Sequence, residues 1–387
     1  MIKDTLGDMV IIPAHQDLIL HQTSFDIVYN PTTAVNGTLL STGGQVDITV
    51  PEGGGGGTVN LILIEFTITN SATTACSIVP TPLLLRDVTI YANSGSLFVQ
   101  TIQGDHLYTD LANLSTDNLV NIGASMNITL NSLFSGANIA SNTSQVYYIP
   151  IYTSFLTQTN IYMPAIKNGI IFCLNFRPGT DTVTSGTTPT ISNLKLHVIG
   201  NSLPIEHHSA VIKEYSSSIY DFKYTDCIVN SIPVALSANS SYNFTLSGVQ
   251  GMMASIFLVF CQETSGATIY TYTDLRDGTF DITDSNDWSL LGNLKSDYYN
   301  RSWDWVHQFP NQLGYTNFLY FFSHAASVRS TEDSAVMTGF NYYDNNTRIK
   351  ITTPIGWNNG SYTVDLFFKH YATLRLINGR IQTPLLS

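Results

Sequence analysis

The chain has 387 residues, 43% of them hydrophobic and 11% charged, with a formal net charge of −12. That length exceeds the roughly 250–300 residues at which a single core usually stops growing, so two domains are expected. The acidic balance, with no run of Lys and Arg anywhere, excludes a surface built to neutralise nucleic-acid phosphates.

Tyr and Phe number 21 and 19, and Ser and Thr are abundant, whereas the usual helix formers are scarce. Such residues suit pleated, half-buried surfaces, and the bulk reading is all-β. So little charge also predicts a surface largely buried against neighbouring chains.

At the start, "MIKDTLGDMVIIPAHQ" puts Asp4 and Asp8 where a signal peptide needs basic and apolar runs. The expectation is a soluble protein made in a cytoplasm, with residues 1–20 an arm that contacts a neighbour or a membrane. Pro51–Gly57, "PEGGGGG", lacks the Lys and Ser/Thr of a phosphate cradle and reads as a flexible loop. From Val59 to Thr69, Ile62, Ile64, Phe66 and Ile68 alternate with polar residues, as in a strand with one buried face.

A short helix is predicted in "GDHLYTDLANLS", capped by Asp105, with Leu107, Leu111 and Leu114 at helical spacing. Asp105 and His106 are sequence neighbours, which do not face each other on a helix, so they form no acid–base dyad. Residues 131–145, 178–192 and 262–300 read as long polar loops. Leu194, Leu196 and Val198 alternate with Lys195 and His197 in another strand. The join between domains is placed around residues 203–215. His207 and His208 fall there, and in a strand they point to opposite faces, which excludes a shared metal.

The longest apolar stretch, about Met252 to Cys261, is far shorter than the ~20 residues needed to span a bilayer. Asp274, Asp277, Asp281, Asp284 and Asp287 lack EF-hand spacing and read as a solvated loop, with ion binding left open. In the aromatic stretch that follows, Phe318–Phe322 reads as a strand, and Trp303 and Trp305 as core or interface residues. Val364, Leu366 and Phe368, then Ala372, Leu374 and Leu376, keep one phase and predict a long closing strand.

Cys76, Cys173, Cys227 and Cys261 form no C-x-x-C pair and read as buried free thiols. The sequons at Asn127 and Asn243 read as a product of composition. No hydrolase, zinc-protease or P-loop motif is present, so no catalytic, cofactor-binding or metal-ligating residue is assigned, and no enzymatic activity.

Four segments in order carry a resemblance. Leu83–Ser115 has a strand, a turn, a strand and then Gly104, Asp105 and Leu107 opening a short helix. Tyr147–Pro178 has an aromatic–Ile–Pro strand, with Pro150 and a second proline, Pro164. Phe318–Thr352 has an aromatic strand followed by Thr338, Gly339 and Asn341, with Met337 in place of a proline. His370–Ile381 ends on Leu374, Arg375 and Gly379. Together they resemble the double jelly-roll major capsid proteins of tectivirus-like phages, virophages and large DNA viruses.

The resemblance implies two tandem eight-stranded jelly-roll β-sandwiches with short helices in loops, spanning residues 21–205 and 206–387. It implies homotrimers that act as pseudo-hexameric capsomers of an icosahedral shell, assembled in the host cytoplasm and located in the virion. Implied partners are neighbouring capsomers, minor capsid, penton or spike proteins and an internal lipid membrane, with no cofactor. The competing readings are a trimeric receptor-binding or lectin-like module and a β-sandwich carbohydrate-active enzyme. The latter needs two converging carboxylates.

Overall fold

The computed structural model describes residues 23–112, 130–245, 253–262, 275, 277–283, 286, 288–289, 294–295, 320–323 and 348–386. The expected arm at residues 1–20 lies outside them. The chain divides into two compact units. Met1–Asp110, Ile128–Asp226 and Ala372–Leu385 form the first; Leu111–Asn127, Cys227–Tyr371 and Leu386–Ser387 form the second.

In the first unit, one sheet joins β1 (Thr23–Tyr29), β3 (Thr58–Asn70), β8 (Thr143–Ile151) and β11 (Thr190–Ser202) in the order β1-β11-β3-β8. The other joins β2 (Gly44–Val50), β5 (Leu85–Ala92), β6 (Leu97–Gln103) and β9 (Ile170–Phe176) in the order β2-β9-β5-β6. The expected alternation is borne out: Ile62, Ile64, Phe66 and Ile68 of β3 and Leu194, Leu196 and Val198 of β11 are all buried. Ile48, Ile90, Phe172 and Leu174 of the second sheet are fully buried as well, as the core of a sandwich requires.

The second group begins with β12 (Ile219–Leu236) and β13 (Ser241–Thr245). β14 (Met253–Gln262), β15 (Thr279–Thr283), β16 (Leu294–Lys295), β17 (Tyr320–Ser323), β18 (Arg348–Thr352) and β19 (Gly360–Ile377) follow. They pair as β12-β19-β14-β17 and β13-β18-β15-β16, and the division between the units falls inside β12 and β19. β20 (Arg380–Ile381) and β21 (Leu385–Leu386) both pair with β19. The unit's core gathers Phe280, Ile282, Tyr320, Ile349, Ile351, Val364, Leu366 and Phe368.

Numbering the principal strands of each set from first to eighth gives the same result twice. One sheet reads first–eighth–third–sixth, the other second–seventh–fourth–fifth. This repeated order is that of two eight-stranded jelly rolls.

Three expectations need correction. Residues 131–145 and 178–192 are not loose polar loops. They contribute β7 (Ala137–Ile139) and β10 (Val183–Ser185), which flank β4 (Cys76–Ile78) in a small antiparallel sheet, β10-β4-β7. Register puts that sheet where β3 ends and β8 and β11 begin (Asn70 opposite Thr143, Thr69 opposite Thr190). Such short pieces are paired by their neighbours and leave no periodicity to read.

The glycine run is also packed. A Cβ on Gly57 would lie 2.1 Å from Asn201 O, one on Gly55 2.7 Å from Met163, and Gly55 N donates to Tyr29 Oη at 2.7 Å. Those glycines permit close approach as well as a turn. Finally, residues 203–215 contain a helix, Ile205–Ser217, and not a strand. Its residues Val211 and Tyr215, one turn apart, are buried. Among the described residues no helix is long and apolar enough to cross a membrane.

Candidate functional site

The helix Gly104–Ala112, here α1, follows β6 directly. Gly104 is there because a Cβ would lie 2.0 Å from Leu85 O and 2.8 Å from Pro82 O. Asp105 was expected to cap the helix from outside; it lies inside the first turn. Its Oδ2 accepts from Arg177 Nη2 at 2.6 Å, and both side chains are nearly buried. Arg177 Nε also donates to Leu85 O at 3.1 Å, so one guanidinium at the end of β9 ties the helix to the start of β5. Leu107 and Leu111 are buried as expected, and Leu114 lies outside the described residues. His106 Nε2 sits 3.3 Å from Asp110 Oδ2, one turn along the same helix.

His207 and His208 lie on the second helix described, α2 (Ile205–Ser217). Their separation there follows from helical geometry, since neighbours point about 100° apart and still do not converge. His208 Nδ1 lies 2.6 Å from Tyr162 Oη, with the rings edge-on. Burial pushes the Tyr162 phenol up to about 12.

The outward face of the β1-β11-β3-β8 sheet carries the densest charge cluster described. Lys195 Nζ lies 2.7 Å from Glu65 Oε1, and His197 Nε2 lies 3.1 Å from Glu65 Oε2. On its other side, His197 Nδ1 lies 3.1 Å from Asp26 Oδ1. Burial pushes Glu65 up, but hydrogen bonds and charge from Lys195 and His197 outweigh it and hold the carboxyl below its usual range. The cluster links β1, β11 and β3 side by side and so staples the strands together.

The acidic stretch does not form one solvated loop. Asp281 lies on β15, buried, accepting from Ser289 Oγ at 2.7 Å, whereas Asp277 occupies an exposed turn at φ +63°. Asp274, Asp284 and Asp287 lie outside the described residues, as do Trp303, Trp305, Asn127, Thr338, Gly339 and Asn341. Asn243 is exposed on β13. Cys76, Cys173 and Cys227 are buried free thiols, as expected; the side chain of Cys261 is outside the description. Burial first, then Asp47 and Asp87, pushes Cys173 up to about 12. Among the described residues no group of three or more His, Cys, Asp or Glu side chains is placed to hold a metal ion.

The motif residues behind the family resemblance instead take structural positions. Leu374 is fully buried, and Arg375 grips Asp221 with two bonds of 2.7 and 2.8 Å. Gly379, at φ +79°, follows Asn378, at φ +51°, in the two-residue turn between β19 and β20. Asn-Gly is the common sequence of such a turn, a signal that would have predicted this hairpin. Sequence reasoning missed Arg177, Asn93 and Glu52 altogether, because their partners lie 72 or more residues away.

No protein-family model matches the sequence, and no curated protein matches it. Solved structures do. VP54 of PBCV-1, as fitted into a reconstruction of the virophage Sputnik, has a TM-score of 0.67 at 13% identity, covering 95% of this chain and 97% of its own. The Faustovirus major capsid protein gives 0.59 at 8%, covering 95% and 92%. The Sputnik virophage structure gives 0.59 at 11%, covering 97% and 93%. Along nearly its whole length, the chain has the all-β double jelly-roll fold of these capsid proteins.

Proposed function

We propose that this chain is a viral major capsid protein, a structural subunit whose work is done by its side faces and not by an active site. The observation that carries the proposal is the repetition of one eight-strand order in two successive sandwiches. Its full-length likeness to the Faustovirus major capsid protein supports the same reading. On this reading residues 21–205 and 206–387 are the first and second jelly rolls and residues 1–20 an arm.

Subunits of this kind associate as homotrimers with a pseudo-hexameric outline, which suits a closed symmetric lattice. Their other partners are neighbouring capsomers, minor capsid, penton or spike proteins and an internal membrane. The sites of action are the virion and, during assembly, the host cytoplasm. A charged fraction of 11% fits a surface that is mostly covered by neighbours.

Electron microscopy of the purified protein tests this. Stable trimers with a pseudo-hexagonal outline that tile into sheets or shells are expected. A monomer that cleaves a polysaccharide, or elongated trimers with measurable glycan affinity and no tendency to tile, would overturn it.

A further inference from the structure

At the end of the first unit opposite the small sheet, three connections meet. Ser94 N and Oγ both donate to Asn168 O at 3.1 Å, and Asn168 N donates to Glu52 Oε2 at 2.9 Å. The turn after β5, the segment before β9 and the loop after β2 are therefore mutually dependent.

The β19–β20 hairpin enters this set from the far end of the chain. Lys167 N donates to Gly379 O at 2.8 Å, Asn93 Nδ2 to Ile381 O at 3.0 Å, and Asn378 N to Ser218 O at 3.1 Å. Leu374, Leu376 and Ile381 are fully buried, and Arg375 holds Asp221 with two bonds. All these partners belong to the first unit, yet the hairpin follows the whole of Cys227–Tyr371 in sequence.

We propose that residues 372–381 are a latch that completes the first unit. That unit then reaches its native end only after the chain of the second unit has been made. A chain interrupted within the second unit would present an unfinished first unit, with the 93–96 and 167–169 turns lacking their bonds to Ile381 and Gly379. The device discriminates complete from incomplete chains before any subunit contact, and does not depend on the capsid reading.

Hydrogen exchange on the intact chain tests it, comparing wild type with Gly379→Val and Asn93→Gly. A Cβ at Gly379 would lie 2.9 Å from Ala165 O, at a φ that β-branched residues avoid. Asn93→Gly suits the left-handed φ of +51° at that position, removes the side-chain bond to Ile381 O and leaves the hairpin turn intact. Loss of the latch contacts should speed exchange at Ser94, Gly95 and Asn168 about three- to tenfold, roughly the worth of one hydrogen bond. None of these amides touches the hairpin, and Asn168 is remote in sequence from both substitutions, so its amide separates loss of the latch from a local disturbance. Faster exchange at residues 376–382 with unchanged exchange at 93–96 and 167–169 in both variants would overturn the proposal. So would faster exchange spread evenly over the β-sheets of the first unit.

Discussion

β11 and β19 occupy the same place, the eighth strand of eight, beside the first and third. Their surroundings differ. β11 alternates between a buried apolar face and a face where Lys195 and His197 are partly exposed. β19 is buried on both faces from Val364 to Phe368, Asp365 included, and again at His370, Tyr371 and Ala372. One topology thus accommodates two coats. Alternation is demanded only where one face meets water, and a strand covered on both sides reads as a near-continuous apolar run such as "LFF".

The comparison breaks most readily at Phe367, which is fully buried on the second face of β19. Phe367→Ala should cost about 3–5 kcal/mol, read by denaturant unfolding. A cost below 1 kcal/mol would mean that this face is only loosely covered. Arg177→Ala comes next. It leaves Asp105 buried without its guanidinium, and a loss of about 3 kcal/mol is expected, confined to the first unit. Calorimetry resolving separate transitions would show whether the second unit is spared. Lys195→Ala, on the outward face of β11, should cost under about 1 kcal/mol, because its ion pair is partly exposed and screened by salt.

The smallest effect is a pH dependence. Glu65 is held below its usual carboxylate range, so its stabilisation is complete above the unfolded value and lost as the pH falls through the folded one. Thermal unfolding followed from neutral pH into the acid range should show this loss in wild type and not in Glu65→Gln. The reverse pH trend would contradict the assignment.

Much of the fold was legible in the sequence wherever one face of a strand meets solvent. β3 and β11 announce themselves by period two, and the closing strand β19 kept its phase from Val364 to Leu376. Asp365 falls in the opposite phase from Val364 and Leu366 yet is buried, and alternation has no means of showing that both faces are covered. The helix over Ile205–Ser217 was misread because adjacent histidines and serines obscured the Val211–Tyr215 spacing. Gly104 was matched as a motif letter, but its physical reason, the Leu85 carbonyl against its Cα, belongs to tertiary packing and not to any local pattern. The same holds for Asp105, whose partner arrives 72 residues later.

The two ends of the first sandwich are built from different material. One carries the small sheet grown from three separate connections; the other carries short turns, the helix after β11 and the returning hairpin. An object with unlike ends has a direction. Copies set side by side in the same orientation make a layer with two chemically distinct surfaces, and one inserted upside down presents the wrong groups on both. Sidedness of that kind is settled within each chain, before any neighbour arrives.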